Sequence, residues 1–232
     1  MPSTIRPARP SDIPQIRLIN THYILNTALT FVQHPPVAAT YLAKYEDLTS
    51  RGLPYLVAVD GNTKSADGGD DGDDSNDGDL VLGYAYLSPF RRTMLSYAST
   101  VELTLYIRSG YQSKRLGSRL LDAVLDAART ARHLGWEVME ETDTEGVHLQ
   151  QGRSPEGKKQ GQVVAVDPED GGAGARISNI IAIMAVDPEG PEQGEALRRW
   201  YVARGFVEKG RMEKIGFKRG HWVDTVYLQF ML

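Results

Sequence analysis

Between Ser99 and Ala128 the chain reads STVELTLYIRSGYQSKRLGSRLLDAVLDAA. Val101, Leu103, Leu105 and Ile107 alternate with Glu102, Thr104 and Tyr106, which predicts a strand with a carboxylate on its more polar side. A short polar loop follows, then a helix with Leu116, Leu120, Leu121, Val124, Leu125 and Ala128 on one face. A helix start leaves backbone N–H groups without acceptors and carries partial positive charge, so it can hold a pyrophosphate. Lys114, Arg115 and Arg119 add cations to that end. The same residues also suit a plain strand–helix connection with a basic surface, and the loop has only one glycine before the helix. Physical chemistry alone leaves both readings open.

The elements that must position this segment are readable from the rest of the chain. A strand is expected near Ile5. SDIPQIRLINTHYI predicts a helix with Ser11 as N-cap and Ile13, Ile16 and Ile19 on one face. PVAATYLAKYEDLTSRG predicts a second helix ending at Gly52. Strands are expected at 54–59, 80–88 and 99–108, then a helix at 114–133. A strand at 178–186, a helix at 193–204 and strands near 206–214 and 222–231 complete the order. This β-α-α-β-β-β-α-β-α-β-β order predicts a mixed α/β sheet with helices on both faces.

With 232 residues and 41% hydrophobic content, the chain is expected to form one domain over 1–232 with two insertions. The segment 60–79 is rich in Gly, Asp and Ser and reads as a disordered, overgrown hairpin loop. The segment 140–176 is polar and glycine-rich, and contains AVDPE at 165–169, a motif that recurs at 185–189. Only the second copy follows a long apolar run; the first reads as a strand-like decoy or a small extra hairpin.

The net charge is −4, but 60–79 holds eight Asp against one Lys, so the remainder is about +3. That balance suits an anionic small ligand and is too weak to argue for nucleic acid. The absence of cysteine excludes disulfides, thiolate zinc sites and cysteine nucleophiles. The five histidines show no metal-ligand spacing, so no metal is expected. The first residues lack the apolar stretch of a secretory signal, and the apolar run IIAIMAV is too short to span a bilayer. A cytoplasmic protein with no membrane partner is the expectation. Trp136, Trp200 and Trp222 are read as core residues.

TVELTLYIRSGYQSKRLGSRLLDAVLD resembles motif A of the GNAT acetyltransferases, Gln/Arg-x-x-Gly-x-Gly/Ala after the fourth strand. LNTALTF (25–31), GYAYLSPFR (83–91), SYASTVE (96–102), LRRWYVARGF (197–206) and KRGHWVDTVYLQ (218–229) resemble the phosphinothricin N-acetyltransferase branch. The likeness covers nearly all the chain outside the two insertions. It implies the GNAT fold, a mostly antiparallel, V-splayed sheet of about seven strands with helices on both faces. It also implies acetyl-CoA as co-substrate and direct transfer of acetyl to the primary amine of a small amino-acid-like acceptor, such as phosphinothricin or methionine sulfoximine or sulfone.

By the same resemblance, the pantetheine pairs with the backbone of Leu105, Tyr106 and Ile107. The pyrophosphate lies on the loop Gln112, Ser113, Lys114, Arg115, Leu116 and Gly117. Gln112 and Gly117 match the consensus, whereas Ser113 and Arg115 stand where the branch commonly has glycine. The loop is expected to keep negative φ at Arg115, with its side chain turned to solvent or onto a CoA phosphate. Glu102 matches the proposed general base, and Tyr201 stands where many members place a residue that protonates the leaving thiolate. On residue type alone, Glu102 also fits a strand glutamate paired to an arginine, and Tyr201 a core aromatic. The family's Asn at the start of that helix has no counterpart, since Gly194 or Glu195 stands there.

Phe31, Arg91 and Tyr97 are implied to line the acceptor pocket, with Arg91 pairing to a carboxylate or phosphinate. Lys218, in a loop that some members bring to the pocket across a homodimer interface, equally fits a solvated basic turn. Other readings stay open: a GNAT acting on a polyamine or a protein N-terminus, a degenerate acyl-CoA-binding module without turnover, or an acidic interaction loop on an inert scaffold.

Overall fold

The computed structural model describes residues 3–64, 79–91, 94–112, 114–138, 162–164, 167 and 171–232. Ser113, most of 60–79 and most of 140–176 lie outside the described residues. Among those described, seven strands form the main sheet: β1 (Ser3–Pro7), β2 (Tyr55–Lys64), β3 (Asp79–Pro89), β4 (Thr100–Ile107), β5 (Asn179–Val186), β6 (Val207–Lys218) and β7 (His221–Met231). Their spatial order is β1-β2-β3-β4-β5-β7-β6. Every neighbouring pair is antiparallel except β4 and β5.

That parallel pair sets the shape. β4 and β5 share a ladder only from Thr100–Asn179 to Glu102–Ile181. Beyond it, β4 stays paired with β3 to Ile107, and β5 stays paired with β7 to Val186. The sheet therefore opens into a V, and among the described residues the edge of β4 opposite β3 has no strand beside it after Glu102.

The period-2 pattern places the two faces. Ile107 and Leu105 lie opposite Gly83 and Ala85, whereas Tyr106, Thr104 and Glu102 lie opposite Tyr84, Tyr86 and Ser88. Helix α3 (Leu116–Thr130) covers the first face: a Cβ built on Gly83 would stand 3.2 Å from Leu120 and 2.8 Å from the Tyr106 carbonyl. No side chain fits there, so glycine lets β3, β4 and α3 close up. Helices α1 (Ile13–Asn26) and α2 (Ala38–Ser50) cover the second face. Tyr23 of α1 meets Tyr106 at 4.7 Å between ring centroids, and Tyr45 of α2 meets Tyr55 at 5.6 Å. Helix α4 (Glu195–Val202) packs on β5 and β7. One apolar core runs through both layers.

Local departures from the expected pattern have identifiable causes. Ser11 is not an N-cap, because Pro10–Asp12 forms a 3-10 turn and α1 begins at Ile13. The Asp12 carboxylate instead accepts the Arg9 N–H at 2.7 Å and two Arg6 guanidinium bonds at 2.8 and 3.0 Å. Helix α3 is shorter than 114–133, since Arg132–His133 leaves it to pair with Ala175–Arg176. Gln162–Val164, before the first AVDPE, pairs antiparallel with Trp136–Val138; of that AVDPE copy only Asp167 lies among the described residues. The Asp of each copy is buried and acts as a local acceptor. Asp167 takes the Arg176 N–H at 2.9 Å, and Asp187 takes the Ala28 N–H at 2.9 Å. Trp222 is no core residue: it is 59% exposed and packs edge-on against Phe217.

Candidate active site

Glu102 occupies the last rung before β4 and β5 part. Its half-buried side chain lies on the face of Ser88 and Tyr86, not on the α3 face. The arginine partner that a merely structural glutamate would have is absent among the described residues. Burial raises its carboxyl above the ordinary range, and the charge of Lys44 on α2 partly opposes that rise.

The loop after β4 is held from below. The Tyr23 hydroxyl donates to the Ile107 carbonyl at 2.7 Å, and the Gln112 amide reaches the Tyr23 oxygen at 3.4 Å. Gln112 Oε1 accepts the Gly110 N–H at 2.8 Å, which fixes the turn at Gly110 (φ +82°). Lys114 stands 4.6 Å from the centre of the Tyr111 ring. Arg119, expected beside the loop, turns away and binds the Ser3 carbonyl of β1 at 2.6 Å.

Arg115 corrects the sequence expectation. Its φ is 59° and ψ 9°, so it adopts the left-handed conformation and not negative φ. The backbone therefore makes the turn that glycine would make, at a cost of about 1–2 kcal/mol for a residue with a Cβ. The turn starts α3 cleanly, with the Arg119 N–H reaching the Arg115 carbonyl at 3.1 Å. The first-turn amides have no intrahelical acceptor, and no acidic side chain stands in that turn. Leu116 is buried as the first core contact of α3. Gly117 is not demanded by packing: a Cβ there would meet Trp200 at 3.6 Å and Ile107 at 3.9 Å, both ordinary contacts. A glycine that neither φ nor packing requires suits close approach of a ligand to the backbone. With the unpaired β4 edge, these features fit a thioester-bearing nucleotide laid from the vertex to the start of α3.

Helix α4 flanks the opening. Tyr201 is buried between Trp200 and Phe206, and burial pushes its hydroxyl up to about 12. Gly194 precedes α4 at φ +88°, and a Cβ there would stand 2.7 Å from the Asp187 nitrogen, so asparagine has no room. Glu195 is committed to Arg211 at 2.7 Å.

The expected acceptor residues fall into two groups. Arg91 (φ 46°) and Tyr97 are exposed on the β3–β4 connection; the Arg91 guanidinium lies 6.0 Å from the centre of the Phe90 ring, and the Tyr97 ring meets that ring at 5.3 Å. Phe31 belongs to the loop between α1 and α2 and packs on Gly216 of β6, where a Cβ would stand 2.2 Å from its ring. Lys218 is buried, and its ammonium donates to the Thr30 and Val32 carbonyls at 2.6 and 3.0 Å. It is therefore neither a solvated turn residue nor aimed at a ligand; it anchors the two residues that flank Phe31. Burial lowers its pKa, with Arg219 adding to the effect.

Lys44 has no place in the motif. It joins two cavities on the Glu102 face. One, of about 90 Å³, is ringed by Tyr41, Tyr55, Tyr84, Tyr86 and Asn20. The other, of about 570 Å³, is bounded by α2 and by Ser88 and Pro89. Neither is lined by Phe31, Arg91 or Tyr97. The sequence held one signal: Lys44 follows Tyr41 by three residues and precedes buried Leu48 by four, so it interrupts the stripe with which α2 meets the sheet.

Residues 38–151 match the family model described as the acetyltransferase (GNAT) family. Over those residues the chain carries the pattern of the GNAT acetyltransferases. It is 26% identical over 226 residues to phosphinothricin N-acetyltransferase of Alcaligenes faecalis, covering 97% of this chain and 81% of that one. It is 25% identical to the L-methionine sulfoximine/L-methionine sulfone acetyltransferase of Pseudomonas aeruginosa, covering 100% and 96%. Among solved structures it resembles a GNAT superfamily phosphinothricin acetyltransferase from Sinorhizobium meliloti in complex with acetyl-CoA. That likeness has a TM-score of 0.65 and 25% identity, covering 100% of this chain and 89% of that one. No described helix of this chain is long and apolar enough to cross a membrane.

Proposed function

We propose that this protein moves an acetyl group from acetyl-CoA to the primary amine of a small amino-acid-like acceptor, in the class of phosphinothricin, methionine sulfoximine or methionine sulfone. The observation that carries the reading is Glu102: half-buried, without an ion-pair partner among the described residues, and set at the rung where β4 and β5 separate. The names of the relatives support the acceptor class.

The residues that would hold acetyl-CoA are Leu105, Tyr106 and Ile107, through the β4 edge that faces away from β3, and the loop Gln112–Gly117. Bound there, it supplies an acyl group activated as a thioester. An acceptor amine is an ammonium at neutral pH and must lose a proton before its nitrogen can attack. Glu102 takes that proton, and its raised pKa makes it a better base than an exposed carboxylate. The new N–C bond forms as the C–S bond breaks, and the proton still surplus on that nitrogen ends on the departing sulfur, giving the free thiol. Tyr201 is protonated at neutral pH, and its hydroxyl lies well above a thiol's pKa of about 8.5. It therefore steadies the departing thiolate as a hydrogen-bond donor more readily than it surrenders its proton. Phe31, steadied through Lys218, shapes the acceptor side, and Arg91 and Tyr97 meet the acceptor's α-carboxylate. The left-handed backbone at Arg115 removes one ground for a non-catalytic reading, because the loop takes a glycine-like path.

A thiol-release assay with acetyl-CoA against amino acids and their sulfone, sulfoximine and phosphinate analogues tests the reading. Release with acceptors of this class, and none with polyamines or peptide N-termini, is the expected result. Acetyl-CoA binding without release for any acceptor would instead support a module that binds acyl-CoA without turnover.

A further inference from the structure

We propose that Lys44 is the receptor for a negatively charged acceptor side chain and makes this enzyme prefer such acceptors over neutral ones. The proposal rests on the acetyl-transfer reading for the acceptor class, but on separate residues. Lys44 projects from α2 where the cleft of about 570 Å³ meets the tyrosine-lined cavity of about 90 Å³. The cleft falls within the range of small-molecule sites, and the smaller space suits a terminal group.

The ammonium has three donors, and one reaches the Tyr86 hydroxyl at 3.2 Å. Among the described residues no carboxylate forms an ion pair with it. Asp47 also lines the cleft, but its carboxylate is held by Arg51 at 3.1 Å. Glu102 feels the Lys44 charge without touching it, and Tyr41 is turned to Asn20 at 2.8 Å. The aromatic rim is otherwise uncharged. A cation that crosses a cleft wall, spends one bond on a neutral phenol and touches no carboxylate among the described residues is placed to receive an anion from the ligand.

Phosphinothricin and methionine sulfone are suitable probes, because they share an α-amino acid end and differ by one negative charge on the side chain. Each is titrated calorimetrically into the full chain, as wild type, Lys44→Met and Lys44→Arg. Wild type is expected to bind phosphinothricin more tightly. Lys44→Met should lower that preference roughly 10- to 100-fold, the range of hydrogen bonds to charged groups, and Lys44→Arg should retain most of it. Lys44 is exposed on its helix, so methionine leaves the fold intact. Equal wild-type affinity for both probes, no binding of either, or a Lys44→Met loss equal for both overturns the proposal. If the wild-type preference is present but neither probe releases thiol from acetyl-CoA, the transfer reading fails and the Lys44 site stands.

Discussion

Two helices of this fold begin with a left-handed residue, and they use it for opposite ends. At α4 the residue is Gly194 (φ 88°), wedged against the backbone of Asp187, and the first turn is closed electrically by Glu195. At α3 it is Arg115 (φ 59°), exposed, with no acidic side chain in the first turn. The α4 start satisfies itself: its glycine serves packing and its glutamate meets the helix dipole and Arg211. The α3 start carries positive side chains on top of a positive dipole end and accepts the strain of a non-glycine residue. Backbone conformation alone does not mark an anion site. The charge left uncompensated around it does.

Substitutions at the two residues separate these roles. The larger effect is expected at Gly194→Ala, on stability. A Cβ would overlap backbone atoms of Asp187, and alanine resists positive φ, so denaturant unfolding should show a loss on the order of 2–4 kcal/mol. A loss below about 0.5 kcal/mol would mean that the glycine is not a packing requirement. The smaller effect is expected at Arg115→Gly. Since the Arg115 backbone already makes the turn that glycine would make, glycine relieves its strain without changing the path of the loop, and the change in binding reads the lost side-chain charge. Acetyl-CoA should bind roughly 3- to 10-fold more weakly, with a shallower salt dependence. Tighter binding would show that the Arg115 side chain obstructs the loop, and the contrast between the helix starts would lose its meaning.

The fold was legible in the sequence where periodicity was strong. Val101 to Ile107 alternate cleanly, and Leu116 to Ala128 repeat at helical spacing, so β4 and α3 and their order could be read directly. The candidate base was legible because a carboxylate on the polar side of that strand is conspicuous. At Arg115 the sequence misleads because a residue's identity gives only a preference in φ, and the burial of Leu116 at the start of α3 decides the turn. Lys218 was misjudged because a lysine between two strands looks solvated until the Phe31 loop is folded onto it, 186 to 188 residues away in sequence. Lys44 went unnoticed because its significance lies in two cavities that exist only once α2 lies on the tyrosines of β2 and β3.

The central claim is that the vertex divides labour, with the start of α3 holding the nucleotide and Glu102 moving the proton. The most direct test measures turnover, its pH dependence and acetyl-CoA affinity for wild type and Glu102→Gln. In wild type, kcat/KM should rise with pH through a limb above the ordinary carboxylate value of about 4.3, because burial raises the Glu102 pKa. Glu102→Gln should cost roughly 100- to 10,000-fold in turnover and abolish that limb, while acetyl-CoA affinity changes less than about twofold. Turnover that survives the substitution with the limb intact would contradict the account.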